Sequence, residues 1–191
     1  MTTKYSGKTR VESDLLGEME VPVEALYGVQ TLRGIINFPI SRFHLSDYPL
    51  FINGLAMTKL GAAEANHQLG LLTDAQFDGI SKACLEIMEG KHHDQFPCDM
   101  IQGGAGTTTN MNANEVIANR ALQIMGHEAG EYQYCSPNDH VNCSQSTNDA
   151  YPCGIHLGLY ATHKVFMQHY EALIESFAKK AKEFAHILKM G

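Results

Sequence analysis

Two polar stretches hold the residues whose types and spacing suit chemistry. Residues 94–112 include Gly103-Gly104-Ala105-Gly106-Thr107-Thr108-Thr109-Asn110. Glycines there permit positive φ and close backbone approach, and the three threonines with Asn110 bring hydroxyls and an amide to an expected helix start, a set that suits a small anion. The run lacks the third glycine of a dinucleotide loop and the Gly-Lys-Ser/Thr of a Walker loop. On composition alone, a ligand loop and a structural turn with a capped helix stay equally open. Residues 130–149 close on Gln145-Ser146-Thr147-Asn148-Asp149 at the head of the longest helical pattern. Ser146, Thr147 and Asn148 fall where helix N–H groups are unsatisfied and the dipole is positive, a receptor for a carboxylate. An elaborate N-cap is the other reading.

Other reactive residue types do not gather in the same way. Ten histidines invite a metal, but His92-His93-Asp94 lies in a polar connection and His156 and His163 are a heptad apart rather than i, i+4. No metal ligand and no cofactor is expected. The cysteines Cys84, Cys98, Cys135, Cys143 and Cys153 are odd in number and form no CxxC pair, so they are expected as reduced thiols.

The chain has 191 residues, 44% hydrophobic and 18% charged, with 14 Lys+Arg against 21 Asp+Glu for a net charge of −7. That composition excludes disorder and collagen-like structure. No apolar run approaches the roughly 18 residues of a membrane span, and the first residues have no apolar stretch to act as a signal, so the cytoplasm is the expected compartment. An acidic chain without a basic block argues against nucleic acid and anionic membrane as partners.

The elements that must position these residues read as helices, since alternation at period two is short. A first helix is expected over 23–34, opened by Pro22. A second is expected over 49–69, with Leu50, Gly54, Met57, Ala62, Ala65 and Leu69 on one stripe. The third begins at Thr73, which pairs with Gln76 as a capping box, and carries Phe77, Ile80, Cys84, Ile87 and Met88 to a stop at Gly90. The fourth is expected over 112–125. The last, capped by Asp149 with Pro152 in its first turn, should run about 38 residues. Along it Phe166, Tyr170, Leu173, Phe177, Ala181, Phe184 and Leu188 step by threes and fours, the seam of a helix bundle. Such a helix spans roughly 57 Å, longer than the diameter of about 42 Å of a compact body of this size. It must protrude, and its seam calls for other subunits or further chain.

Several motifs together resemble one family. Tyr27-Gly28-Val29-Gln30-Thr31-Leu32-Arg33, residues 102–112, Asn114-Glu115-Val116, Pro137-Asn138-Asp139-His140-Val141-Asn142 and Gln145-Ser146-Thr147-Asn148-Asp149 are similar to the N-terminal part of the aspartase/fumarase superfamily. Gly103-Gly104-Ala105-Gly106-Thr107 and Gly130-Glu131-Tyr132-Gln133-Tyr134 look like its ammonia-lyase branch. Ser136 stands where fumarases typically show His and the ammonia-lyases Asn.

The resemblance implies an all-α fold: an N-terminal helical domain over 1–140, then over 141–191 the first long helix of a central helical-bundle domain. It implies reversible deamination of L-aspartate to fumarate and ammonia, by anti elimination through an aci-carboxylate. Substrate-binding residues carried over by motif are Thr107, Ser146 and Thr147 for the β-carboxylate, and Asn148, with Thr107, for the amino group. The family's base is a serine in a Gly-Ser-Ser loop followed by Lys and Asn. No such stretch occurs in these 191 residues, so no catalytic residue is assigned within them and this stretch alone is expected to be inactive. The Thr-His or Thr-Gln pair that also meets substrate would follow Gly191. The family forms homotetramers with shared sites, which implies that the Thr107 and Ser146 segments of one chain serve different sites. A fumarate hydratase of the same superfamily, or a stand-alone helical assembly module, are the competing functions.

Overall fold

In the computed structural model, which describes residues 4–190, the helix α4 (Thr107–Ile124) runs through the centre with residues 109–119 all buried. Its Val116, Ile117, Ala118, Ala121 and Leu122 join the core with Ile52, Leu55 and Ala56 of α2 (Pro49–Gln68) and Ile80, Cys84 and Ile87 of α3 (Asp74–Met88). The buried asparagines of α4 are tolerated there because their amide N–H groups have acceptors. Asn112 donates to the Gln95 carbonyl at 3.0 Å, and Asn119 donates to the Leu26 carbonyl at 2.8 Å and to the Tyr132 hydroxyl at 3.0 Å.

The chain opens with a hairpin that the sequence reading does not anticipate, β1 (Thr9–Asp14) paired antiparallel with β2 (Gly17–Pro22). Its alternation is inverted on β1, where Glu12 is buried and Val11 exposed. Glu12 earns its place by accepting from the Val29 N–H and the Tyr132 hydroxyl while it pairs with Arg10. The hairpin is a small addition to an all-α architecture.

The first helix, α1 (Val29–Asn37), begins six residues later than the expected 23. Pro22 ends β2 instead of opening a helix. The true start is set from afar: the carboxylate of Glu115 on α4 accepts the N–H groups of Gly28, Gln30 and Thr31 at 2.9–3.0 Å and the Thr31 hydroxyl at 2.5 Å. A carboxylate at a helix N-terminus satisfies orphan donors and complements the dipole.

The bounds of α2 match expectation but its buried stripe does not. The inward face is Ile52, Leu55, Ala56, Lys59, Ala63 and Asn66, whereas Leu50, Met57 and Leu69 are exposed. Two polar residues on the buried face hid its period. The capping box of α3 is present in both arms, Thr73 with Gln76.

The last helix, α5, spans Thr147–Glu183, 37 residues or about 55 Å. Its first part crosses α2 at backbone contact: a Cβ on Gly54 would strike the Gly154 carbonyl, and one on Gly158 would come within 2.9 Å of the Phe51 Cα. Beyond Gly158 no residue of α5 is buried, and Phe166, Tyr170, Leu173 and Phe177 stand exposed. The helix leaves the body as its length requires. Pro152 lies six residues into α5, past the first turn, and removes the N–H that would meet the Asn148 carbonyl. All five cysteines are free thiols.

Candidate anion-binding site

The start of α5 is built by its own side chains. Ser146, not Asp149, is the N-cap; Asp149 is the reciprocal arm of a capping box, accepting from the Ser146 N–H at 3.2 Å. The Ser146 hydroxyl oxygen accepts the Asn148 N–H at 3.2 Å, and the Thr147 hydroxyl oxygen accepts from Asn110 Nδ2, also at 3.2 Å. Each oxygen is thus engaged once as an acceptor, and neither hydroxyl has its proton committed to a protein acceptor among the described residues. Ser146 and Asn148 are exposed and Thr147 is half-buried. The wall therefore offers two hydroxyl donors at the positive end of a long helix, which suits an oxyanion.

Residues 103–107 form the adjoining wall. Gly104, Ala105 and Gly106 all take positive φ (73°, 49° and 93°), and α4 starts directly after them at Thr107, five residues before the expected 112. Gln102 holds that start, its carbonyl accepting the Thr109 N–H at 2.7 Å and its amide donating to the Thr109 hydroxyl at 2.6 Å. A local polar run looked like loop because its cap comes from a side chain seven residues upstream. Thr107 is exposed and donates its own proton to the Gly104 carbonyl at 2.6 Å, so it presents lone pairs rather than a donor.

The two walls meet within one chain. The Tyr151 ring covers Gly106, where no Cβ would fit, and Gln102, Ala105, Gly106, Asn148, Tyr151 and Pro152 line one cavity of about 440 Å³. This contact brings the Thr107 and Ser146 segments side by side in one chain; the expectation that they serve different sites concerns the assembled protein. Of the four residues expected to bind substrate, Asn148 lines this cavity; Thr107 follows its lining residue Gly106 in sequence, and Ser146 and Thr147 precede Asn148.

Sequence reasoning missed the layer behind the walls. Asn110 and Asn114 of α4 and Lys59 of α2 all donate to Asn142 Oδ1, at 3.1, 3.2 and 2.9 Å. The recurrence of Asn at 110, 112, 114 and 119 in a helix was the available signal, since asparagine there demands internal partners. Among the described residues no group of three or more His, Cys, Asp or Glu converges as metal ligands would. His92 and His93 instead meet Glu86 and the Ile87 carbonyl. No helix among the described residues is long and apolar enough to cross a membrane.

The class of protein is given by the family match: the chain belongs to the lyase family, whose family model matches residues 17–191. At the level of particular proteins, it is 56% identical over 182 residues to the aspartate ammonia-lyase of Pseudomonas canavaninivorans, covering 95% of this chain and 38% of that protein. It is 51% identical over 187 residues to that of Escherichia coli K12, covering 97% of this chain and 39% of that one. Among solved structures, the native fumarate lyase:delta crystallin of Brucella melitensis superposes with a TM-score of 0.91 at 46% identity, over 96% of this chain and 43% of that one. A class II fumarase from Schistosoma mansoni gives 0.73 at 40% identity, over 79% of this chain and 32% of that one. The chain thus spans about 38% of the length of the curated relatives it matches.

Proposed function

We propose that this chain is the N-terminal portion of an aspartate ammonia-lyase and supplies the dicarboxylate-binding part of its active site. The observation that carries the reading is the pair of hydroxyls, Ser146 and Thr147, each with its proton uncommitted, at the head of α5. In the elimination, a base outside these residues takes the Cβ proton of L-aspartate, and the electron pair collects on the β-carboxylate as an aci-carboxylate. The Cα–N bond then breaks, giving fumarate and ammonia. Donors fixed before the reaction favour the intermediate over the substrate, because the carboxylate gains charge there. Thr107, with its lone pairs outward, and Asn148 face the amino group as acceptors. This moves Thr107 from the carboxylate, where motif transfer also placed it, toward the ammonium.

The deaminating reading is favoured over hydration by Gly103-Gly104-Ala105-Gly106-Thr107 and Gly130-Glu131-Tyr132-Gln133-Tyr134. The higher identity to ammonia-lyases than to the class II fumarase agrees. The exposed ridge on α5 supports assembly into a homotetramer, with residues 1–140 as the N-terminal domain and 141–191 as the start of the central bundle. The compartment in this reading is the cytoplasm. Expression of the complete reading frame with L-aspartate and with L-malate tests it: fumarate absorbance should rise with L-aspartate. Turnover of L-malate alone would assign the protein to hydration, and turnover of neither would overturn the proposal.

A further inference from the structure

Lys59 is the largest side chain fully sealed from solvent in the described chain, at 0% exposure. Its Nζ donates to Asn142 Oδ1 at 2.9 Å and to Gln145 Oε1 at 3.0 Å, and no carboxylate pairs with it among the described residues. Two neutral acceptors are a poor return for a desolvated ammonium, and burial pushes its pKa down to about 7. An apolar side chain of the same length would fill this place at lower cost, so the lysine is to be explained by what it holds.

Both acceptors lie in residues 142–145, the short link between a π turn (Pro137–Val141) and the Ser146 cap. The link contains Ser144 at φ 58°, a left-handed conformation unfavourable for a residue with a side chain. It is gripped from two helices. Asn66 of α2 donates to the Cys143 carbonyl at 2.8 Å, and Asn110 and Asn114 of α4 share Asn142 Oδ1 with Lys59. Cys84 on α3 is the titratable group that acts on the ammonium, and its thiol is pushed up to about 12 by burial, so it stays neutral.

We propose that Lys59 is a positioning residue for the anion site: it clamps residues 142–145 and thereby fixes the Ser146 and Thr147 hydroxyls in the direction that meets the carboxylate. This rests on the functional reading above only for what the hydroxyls bind; the clamp itself is a property of the chain. Preorganised sites depend on such support behind the contacting groups. The lysine therefore exchanges stability for geometry, a trade common at functional sites.

The test is Lys59→Met, read by hydrogen–deuterium exchange without substrate and by thermal unfolding. Residues 142–148 should exchange at least tenfold faster while α2 and α4 keep their protection, and the Tm should hold or rise. Unchanged exchange at 142–148, or acceleration spread evenly over α2 and α4, would overturn the clamp. If Lys59→Met does not fold, Lys59→Gln, whose polar tip is one atom shorter, is measured against the same two outcomes. In the complete polypeptide the variant should lower kcat/KM for L-aspartate at least tenfold, with wild-type turnover as the separate check on the functional reading.

Discussion

The amide nitrogen of Asn110 lies 3.2 Å from the hydroxyl oxygen of Thr147, so the buried helix α4 orients the first residue of α5. With one Thr147 lone pair engaged by Asn110, its hydroxyl keeps its proton free to donate. In the complete polypeptide, Thr147→Ala should lower kcat/KM for L-aspartate about 10²–10³-fold, the scale set by loss of one preorganised donor. KM should rise as kcat falls, and steady-state kinetics would dismiss Thr147 from the site if kcat/KM stayed constant. A double-mutant cycle with Asn110→Ala, followed by urea unfolding, should show coupling of about 0.5–1.5 kcal/mol between the two residues.

Glu115→Gln should destabilise the chain by roughly 2–4 kcal/mol. Both carboxylate oxygens accept at the start of α1, one from Gln30 and the other from Gly28 and Thr31. An amide must turn its NH₂ toward one of these donor sets. Denaturant midpoints measure the loss, and a shift below about 0.5 kcal/mol would show that the α1 start is held by something else.

Gly154→Ala places a methyl 2.6 Å from Leu55 Cδ2, where α5 crosses α2. Overpacking of this kind costs about 1–3 kcal/mol, so the Tm should fall by several degrees. Gly61→Ala, on the open side of α2 with no atom within 4 Å, should instead raise it slightly.

Acid should weaken the fold through Glu86. Its hydrogen bonds from the Arg120 guanidinium, with His92 adding to the effect, hold its carboxyl at about 2 against an ordinary 4.5. A carboxyl depressed in the folded state contributes stability above its unfolded pKa and loses that contribution as pH falls from about 4.5 toward 2. Unfolding midpoints over that interval should decline less steeply in Glu86→Gln than in the wild type.

What could be read in advance followed from local rules. The capping box at Thr73, the span of α2, the length of α5 and its exposed ridge each depend on neighbours within a turn or two of helix. The misjudged features depend on distant partners. The start of α1 is set by a carboxylate 87 residues away, and that of α4 by the Gln102 side chain. The hairpin was hidden because its buried residue is a glutamate, and the inward face of α2 because it contains Lys59 and Asn66. At the candidate site the residues proposed to meet the anion were legible as hydroxyls and amides at a helix head. The buried asparagines and lysine behind them were not, since nothing in a polar residue's immediate sequence tells whether water or another side chain satisfies it.

The hydroxyls at Ser146 and Thr147 and the aromatic ridge from Phe166 to Phe177 are carried on a single unbroken rod. Any partner that covers the ridge restrains the same body that carries the hydroxyls, so on the proposed function association and dianion binding share one free-energy cycle. Thermodynamic reciprocity then requires that whatever factor assembly adds to dicarboxylate affinity, the dicarboxylate returns to assembly.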